Sequence, residues 1–355
     1  MLTSLVEKLS RRLADVRDFL AYVQAVSEFL EPTESRAQDS VFIKHATLFH
    51  RAHPVIPRMR YGSAIVATYG ALEQFVVNAI EAYVKAVRAS CEEYEQLPDT
   101  IRESHNTKCA SYASVILGQR RDVRLTLPEL VKRWSGCIGK VQGYELNYEV
   151  FSHHTANFRH SLIDEIFSEV GVGGLSKSCL RIDEFRAHVV TSTGISDIEN
   201  RPLADLMATV DDLANRRNDV AHGVDGDVLD MTTLMPVVDF VERYCVAIAA
   251  VLSSQIASIR AITIGAELGK PLVVYNKSIP CFRVVGGSLS EGDWIAARHA
   301  DSDDHWSYGT VQEIQIEGQR LPRIRVKKPI AVALRVDFHA KENQLFFVDK
   351  RKFSL

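Results

Sequence analysis

Leu213-Ala214-Asn215-Arg216-Arg217-Asn218-Asp219-Val220-Ala221-His222-Gly223 is the stretch that decides how this chain is read. It closes a predicted helix running from Leu203 to Ala221, and its glycine is the residue type that most readily ends one. Arg217 supplies a permanent cation with a forked donor array suited to phosphate. His222, five positions on, supplies a proton donor or acceptor near neutral pH. Such a pair meets the demands of RNA cleavage without a metal, because the 2′-hydroxyl of RNA can itself act as the nucleophile.

Spacing alone does not single this stretch out. Arg181 to His188 and Arg298 to His305 have similar spacing, but Arg181 precedes a charged helix-like segment and Arg298 lies in a Gly/Asp-rich loop. Arg217 is followed directly by Asn218, the stretch ends Ala221-His222-Gly223, and an amphipathic helix leads into it. A bland alternative also accounts for it: a capped helix end, a histidine near the C-terminal dipole and two solvated arginines.

Upstream, helical periodicity predicts an amphipathic helix from Leu2 to Leu30, carrying Leu5, Leu9, Leu13, Val16, Leu20 and Val23. Breaks at Pro32 and at Pro54 and Pro57 separate it from the longest helical pattern, Tyr61 to Ala89. Shorter helices are predicted over Pro98–Leu117, Leu127–Trp134, Phe158–Val170 and Ile182–Val190. A long apolar helix over Thr233–Ile262 follows the motif helix. After Gly265 the period changes to two. Leu272–Val274, Phe282–Val285, Trp294–Ala296, Gly309–Val311 and Ile324–Val326 are short and β-rich. Gly286-Gly287, Glu291-Gly292-Asp293 and Glu317-Gly318 read as hairpin breaks. The fold class is mainly α, a helical bundle followed by a small C-terminal β domain. The domains expected are an N-terminal helical region (1–54), a main helical domain (55–265) and a β-rich domain (271–355). The last is expected to be separable from about Pro271. Its Gly292-Asp293-Trp294-Ile295 and Tyr308-Gly309-Thr310-Val311 pieces resemble SH3-like or KOW-like barrels.

The motif resembles the Arg-Asn-x-x-Ala-His-Gly signature of HEPN (higher eukaryotes and prokaryotes nucleotide-binding) domains. The likeness extends over about residues 55 to 262. It includes Tyr69-Gly70-Ala71-Leu72-Glu73-Gln74-Phe75, then His154-Thr155-Ala156-Asn157-Phe158-Arg159 leading to Ile166-Phe167. Within that superfamily the chain looks like the prokaryotic toxin and phage-defence type. The resemblance implies an endoribonuclease whose site is built across a homodimer interface. The alternative within the family is a non-catalytic dimer that binds RNA or nucleotide, or scaffolds a partner.

The chemistry argues for the same dimer. Positions five apart on an α-helix differ by about 140° around the axis, so Arg217 and His222 do not share a ridge. The last turn would have to loosen to turn His222 toward Asn218 or Arg217. In-line cleavage wants both a base and an acid, and one histidine per chain is too few. A two-fold pairing of motif helices supplies two. His222 is then the proton-transfer residue, and Arg217 binds the scissile phosphate. Asn218 orients His222 or bonds phosphate, and Arg216 is an electrostatic aid or a solvated face residue. Glu73 pairs with an arginine of the motif.

The remaining signals are weaker. His153-His154 and His160 form the one dense histidine cluster, but without companion cysteines they read as surface histidines before a helix. Alternation in Arg323-Ile324-Arg325-Val326-Lys327 puts the three cations on one strand face, either a solvated surface or a phosphate track. Asp301, Asp303 and Asp304 lack the glycine and closing glutamate of a calcium loop. Six cysteines without a Cys-x-x-Cys spacing argue against a zinc site and a disulfide framework, and fit a reducing cytoplasm. No cofactor or metal is therefore expected. The content of hydrophobic residues, 46% against 25% charged, supports a sizeable core. No apolar run is read as reaching membrane-spanning length, and Met1 to Arg12 lacks an apolar signal core. From Pro271 onward 13 Lys+Arg face 10 Asp+Glu, a net of +3, which leaves −6 for the rest. The expected partners are RNA, a second copy of the chain, and a regulatory or antitoxin protein.

Overall fold

In a computed structural model, residues 1–29, 43–45, 47–48, 55–118, 123–154, 156–195, 197–224, 227–299 and 306–349 are described. The breaks at Pro32 and Pro54 and the Asp301–Asp304 loop lie outside these. Two compact units divide the chain, one of Met1–Ala82 with Glu149–Val251, the other of Tyr83–Tyr148 with Leu252–Leu355.

The first unit is helical. α1 (Leu2–Phe29) buries Leu9, Leu13, Val16 and Leu20 of the predicted stripe together with Leu2, leaves Leu5 and Val23 half-buried, and turns most of its charged positions outward. Full burial of each such side chain is worth about 1.5–3 kcal/mol, enough to hold a helix with an otherwise charged surface. Arg17 ties α1 to α11 (Met231–Ile264) through Asp239 at 2.7 Å and Glu242 at 2.5 Å. α2 (Ile56–Ala89) crosses α10 (Ala208–His222) closely: a Cβ on Gly62 would lie 3.3 Å from Val220. Between them in sequence come α5 (Glu149–Ser152), α6 (His160–Ser168), α7 (Leu175–Cys179), α8 (Asp183–Thr193) and α9 (Leu203–Leu206). A buried hydroxyl pair, Ser176 with Tyr244 at 2.7 Å, and the Asp164 carboxylate that accepts from Ser176 lock α6, α7 and α11 together. The helix expected over Leu203–Ala221 is two, because Met207 at φ −104°, ψ 10° leaves the helical region.

One expectation is overturned here. α2 and α11 are each 34 residues and apolar enough to cross a membrane by length and composition, with mean hydropathy of 1.2 and 1.7 in their best windows. About half of each window, 56% and 50%, is buried within the protein, as a core helix requires.

In the second unit, α3 (Asp99–Leu117) and α4 (Leu127–Ile138) pack around a buried asparagine. Asn147 donates its backbone N–H to His105 Nε2 at 3.1 Å and its side-chain amide to Leu130 O at 3.1 Å. The β region pairs β1 (Gly265–Gly269), β10 (Gln344–Asp349), β5 (Trp294–His299), β6 (Trp306–Ile316), β9 (Ile330–Val336), β3 (Ile279–Val284) and β2 (Val273–Tyr275) in that order, all antiparallel. β7 (Gln319–Leu321) adds to β6, and β4 (Gly287–Ser290) pairs with β8 (Arg323–Val326). The sheet curls into a half-barrel, with β1 and β2 as its edges and Phe282, Ile295, Val311, Ile314, Leu334 and Phe346 filling its inner face. Glu317 and Gly318 both have positive φ, the two-residue turn whose twist suits a hairpin. On the other face, Ala296 and Trp306 pack on Ala257 and Ala261 of α11. Trp306 donates its backbone N–H to Ser254 Oγ at 2.9 Å, and Arg260 covers Trp294 at 4.6 Å. The last turns of α11 are therefore part of the β unit's packing, and a cut at Pro271 would strip them away.

Candidate active site on the motif helix

α10 keeps its helical hydrogen bonding through His222 and ends abruptly. Gly223 takes φ 66°, its N–H bonds to Val220 O, and the Val224 N–H reaches back to Asp219 O at 2.9 Å. This pair of bonds satisfies two carbonyls that the helix end would otherwise leave open. The expected loosening of the last turn does not occur. His222 stands exposed at the end of a regular helix and makes no hydrogen bond among the described residues.

The two arginines differ sharply. Arg216 is fully engaged: its Nε donates to Asp212 at 2.6 Å, and one terminal nitrogen donates to the Tyr61 hydroxyl and to Asp227 O, each at 3.2 Å. Arg217 has no carboxylate within ion-pair distance among the described residues. Its guanidinium lies 5.4 Å from the centre of the Tyr69 ring and donates a long 3.4 Å bond to Asn218 Oδ1. A half-buried cation held by a ring face and an amide keeps its charge uncompensated. Glu73 does not supply the expected counter-charge to either arginine. Asp212, one turn back on the same helix, reaches Arg216 instead, as an (i, i+4) acid does.

A polar seam flanks this cation. Asp211, Asn215, Asn218 and His222 fall within about 60° of one another around the helix, so they form one stripe. The loop entering α6 lies along it. His160 bonds Asp211 through its backbone N–H at 3.0 Å and its Nδ1 at 2.8 Å, Arg159 donates to Asn215 at 2.5 Å, and Asn157 donates to Asn218 Oδ1 at 2.6 Å. Tyr69 fastens that loop from α2: its hydroxyl accepts the Phe158 N–H at 2.8 Å and donates to Asn157 Oδ1 at 3.4 Å. Burial raises the Tyr69 phenol above its ordinary range, although the Phe158 N–H and Arg217 pull the other way, so it stays protonated at neutral pH. Asn218 thus has its carbonyl oxygen occupied, while its Nδ2 makes no hydrogen bond among the described residues.

Beside the helix end, Arg58, Met59, Gly62, Val66, Val220, Val224 and Val228 line a groove of about 530 Å³. Met59 and Val224 are 64% and 55% exposed, so its apolar wall faces water. In the other unit, Arg323, Arg325 and Lys327 are exposed, Ile324 and Val326 are buried, and none of the three cations has a carboxylate partner among the described residues. The seam's loop members are visible in sequence only as a likeness. Asn157 and Arg159 belong to the His154–Arg159 stretch, but their pairing with Asn218 and Asn215 needs the tertiary fold. Tyr61 carries no sequence signal at all.

Comparison with curated proteins finds no match. Among solved structures, one resemblance is to the C-terminal domain of a protein from Geobacillus thermoleovorans described as a U32 peptidase. It is 15% identical, covers 24% of this chain and 90% of that one, and has a TM-score of 0.19. Another is to GDP-bound aIF5B from Aeropyrum pernix, 14% identical over 37% of this chain and 22% of that one, also with a TM-score of 0.19. Neither is close enough to carry an argument. A family model described as RiboL-PSP-HEPN matches residues 34–254, most of the helical sequence and the whole motif helix. That match covers more than half of the chain and a nucleotide-binding or RNase-type domain, and the chain belongs to the RiboL-PSP-HEPN family.

Proposed function

We propose that this chain is a metal-independent endoribonuclease, acting as the toxic or antiviral effector of a prokaryotic defence system in the cytoplasm. The observation that carries this reading is the contrast between the arginines: Arg216 is consumed by structure, and Arg217 is a cation without a carboxylate partner, on the same helix as an unencumbered His222. An arginine poised without a counter-ion suits a scissile phosphate, whose negative charge grows as the 2′-oxygen attacks. The free Nδ2 of Asn218 lies next to it as a further donor to phosphate. The apolar groove at the helix end supports homodimer formation, which would bring two motif ends to one strand of RNA. Arg323, Arg325 and Lys327 supply a sequence-independent phosphate track. A regulatory or antitoxin protein would act by covering either surface.

Binding without cleavage is the second reading. It draws on the regular helix, which keeps Arg217 and His222 about 140° apart on their axis. One assay separates the two: RNA incubated in EDTA with the wild-type protein and with His222→Ala. Cleavage by the first and not the second supports the enzyme. Retention of RNA by both with no cleavage supports the binding module.

A further inference from the structure

Three cations of α1 lie along a groove and take no part in holding the fold. The groove runs between α1 and α2 with a volume of about 620 Å³. The buried Leu9 and Phe75 form its floor, and Lys8, Arg11, Arg12, Gln74 and Asn78 stand along its walls. Arg17, on the opposite flank of α1, is spent on Asp239 and Glu242. Lys8, Arg11 and Arg12 share the groove with one lining acid, Asp15, and none of the three pairs with a carboxylate among the described residues. Arg11 donates to a backbone oxygen of its own helix, Glu7 O at 3.3 Å. The Gln74 and Asn78 amides make no hydrogen bond among the described residues.

Aromatic rings continue the same flank. Lys8, Arg12, Asp15, Phe19 and Tyr22 follow one another at steps of four and three residues, so they stand on one ridge of α1. The stripe of Leu9, Leu13, Val16 and Leu20 beside it is buried, whereas Phe19 is 40% and Tyr22 68% exposed. Ring faces next to unpaired cations suit a single strand of RNA: bases stack on the rings, phosphates meet the cations, and free amides reach base edges. An acidic peptide would be served by the cations alone. The groove also leads toward the motif, because α2 lines both places. Ala71 belongs to this groove, and Ala67, one turn earlier, to the groove at the end of α10. From Ala71 to Gly62, where α10 crosses at Val220, is about 14 Å along the helix axis.

We infer that the groove between α1 and α2 binds the single-stranded RNA flanking the cut, with phosphates on Lys8, Arg11 and Arg12 and bases on Phe19 and Tyr22; the inference rests on the ribonuclease reading. The strand follows α2 from there toward the end of α10. Stacking of this kind tolerates any base, since each has a π-face, so the groove adds affinity with little sequence preference. It touches none of the reacting atoms. Its loss therefore weakens the hold on substrate and leaves the chemical step at the motif intact.

The test uses the full chain in EDTA, with a fluorescent single-stranded RNA made uncleavable by 2′-O-methylation for binding and the unmethylated strand for cleavage. Glutamate at Lys8, Arg11 and Arg12 should weaken binding and flatten its salt slope by about 0.7 for each phosphate released. Phe19→Leu with Tyr22→Leu keeps an apolar surface but removes the rings, so binding should weaken about 10-fold or more at an unchanged salt slope. Phe19→Tyr with Tyr22→Phe keeps both rings and should bind as the wild type does. All five side chains are exposed, so melting temperatures should stay near that of the wild type. In single-turnover cleavage the charge and leucine variants should need more protein for half-maximal rate, with the maximal rate unchanged. Full affinity in either of these two variants, or a fall in maximal rate in place of affinity, would overturn the inference and leave ribonuclease activity standing. A wild-type protein that neither binds nor cuts RNA would remove the ribonuclease reading and this inference with it.

Discussion

Exchanging each motif arginine for alanine should separate stability from chemistry. Arg216→Ala removes an (i, i+4) ion pair and two further hydrogen bonds, to Tyr61 on α2 and to Asp227 O beyond the helix. The Arg216 side chain is 22% exposed and Asp212 is 50% exposed. The ion pair itself is therefore worth only about 0.3–0.5 kcal/mol, and most of the loss comes from the other two bonds at about 0.5–1.5 kcal/mol each. A total of about 1–3 kcal/mol should lower the melting temperature by several degrees. Arg217→Ala removes a cation–π contact and one long hydrogen bond, worth about 0.5–1 kcal/mol in folding. Loss of its charge at the phosphate should slow cleavage by about 10²–10³-fold. Arg217→Lys should recover only part of that rate, since it restores charge without the fork. Thermal melts and single-turnover cleavage on the same preparations provide the comparison. The reasoning fails if Arg217→Ala melts lower than Arg216→Ala, or if the two lose activity in proportion to their stability.

Other expectations follow from the same geometry. Gly223→Ala forces a side chain into φ 66° and should destabilise the helix end by about 1–2 kcal/mol, read by urea unfolding, with a loss of cleavage as His222 is released. Burial pushes the His105 imidazole down to about 4, and its Nε2 accepts a backbone N–H, so the fold needs it neutral. An ordinary histidine titrates near 6.5, so the unfolded chain binds the extra proton first. Stability from this group is complete above about pH 6.5 and falls by up to about 3 kcal/mol as pH drops toward 4. Denaturant titrations across that range should show the slope, and His105→Gln should flatten it. Glutamate at Arg323, Arg325 and Lys327 should weaken RNA binding and flatten its salt dependence by about 0.7 for each phosphate no longer neutralised; an unchanged slope in filter binding would leave an ordinary solvated face. Aspartate at Met59 or Val224 should shift a dimer to monomer in sedimentation, and a wild-type monomer would remove the dimer from the account.

Much of this fold is legible because it follows periodicity. The Leu9, Leu13, Val16 and Leu20 stripe, the glycine-terminated motif helix and the Glu317-Gly318 hairpin each encode their structure locally. The β strands Ile330–Val336 and Gln344–Asp349 are absent from the sequence reading although both are rich in β-formers, and the former runs along the middle of the sheet. The packing of Ala296 and Trp306 on α11 is illegible for a different reason, since an apolar outer strand position looks the same whether or not a helix covers it. At the site, sequence indicates Arg217 and His222 but not what distinguishes Arg217 from Arg216. That distinction depends on Tyr61, Tyr69 and the loop at Asn157, all brought in by tertiary contact.

The central claim is that Arg217 and His222 serve cleavage by RNA's own 2′-hydroxyl. It is tested most directly by incubating the full-length protein in EDTA with two oligonucleotides that differ only in a 2′-deoxy residue at the scissile position. The account predicts that the all-ribose strand is cut to 2′,3′-cyclic phosphate and 5′-hydroxyl ends, and that the deoxy strand survives at that position. Equal cleavage of both strands, or 5′-phosphate ends on the products, would contradict it.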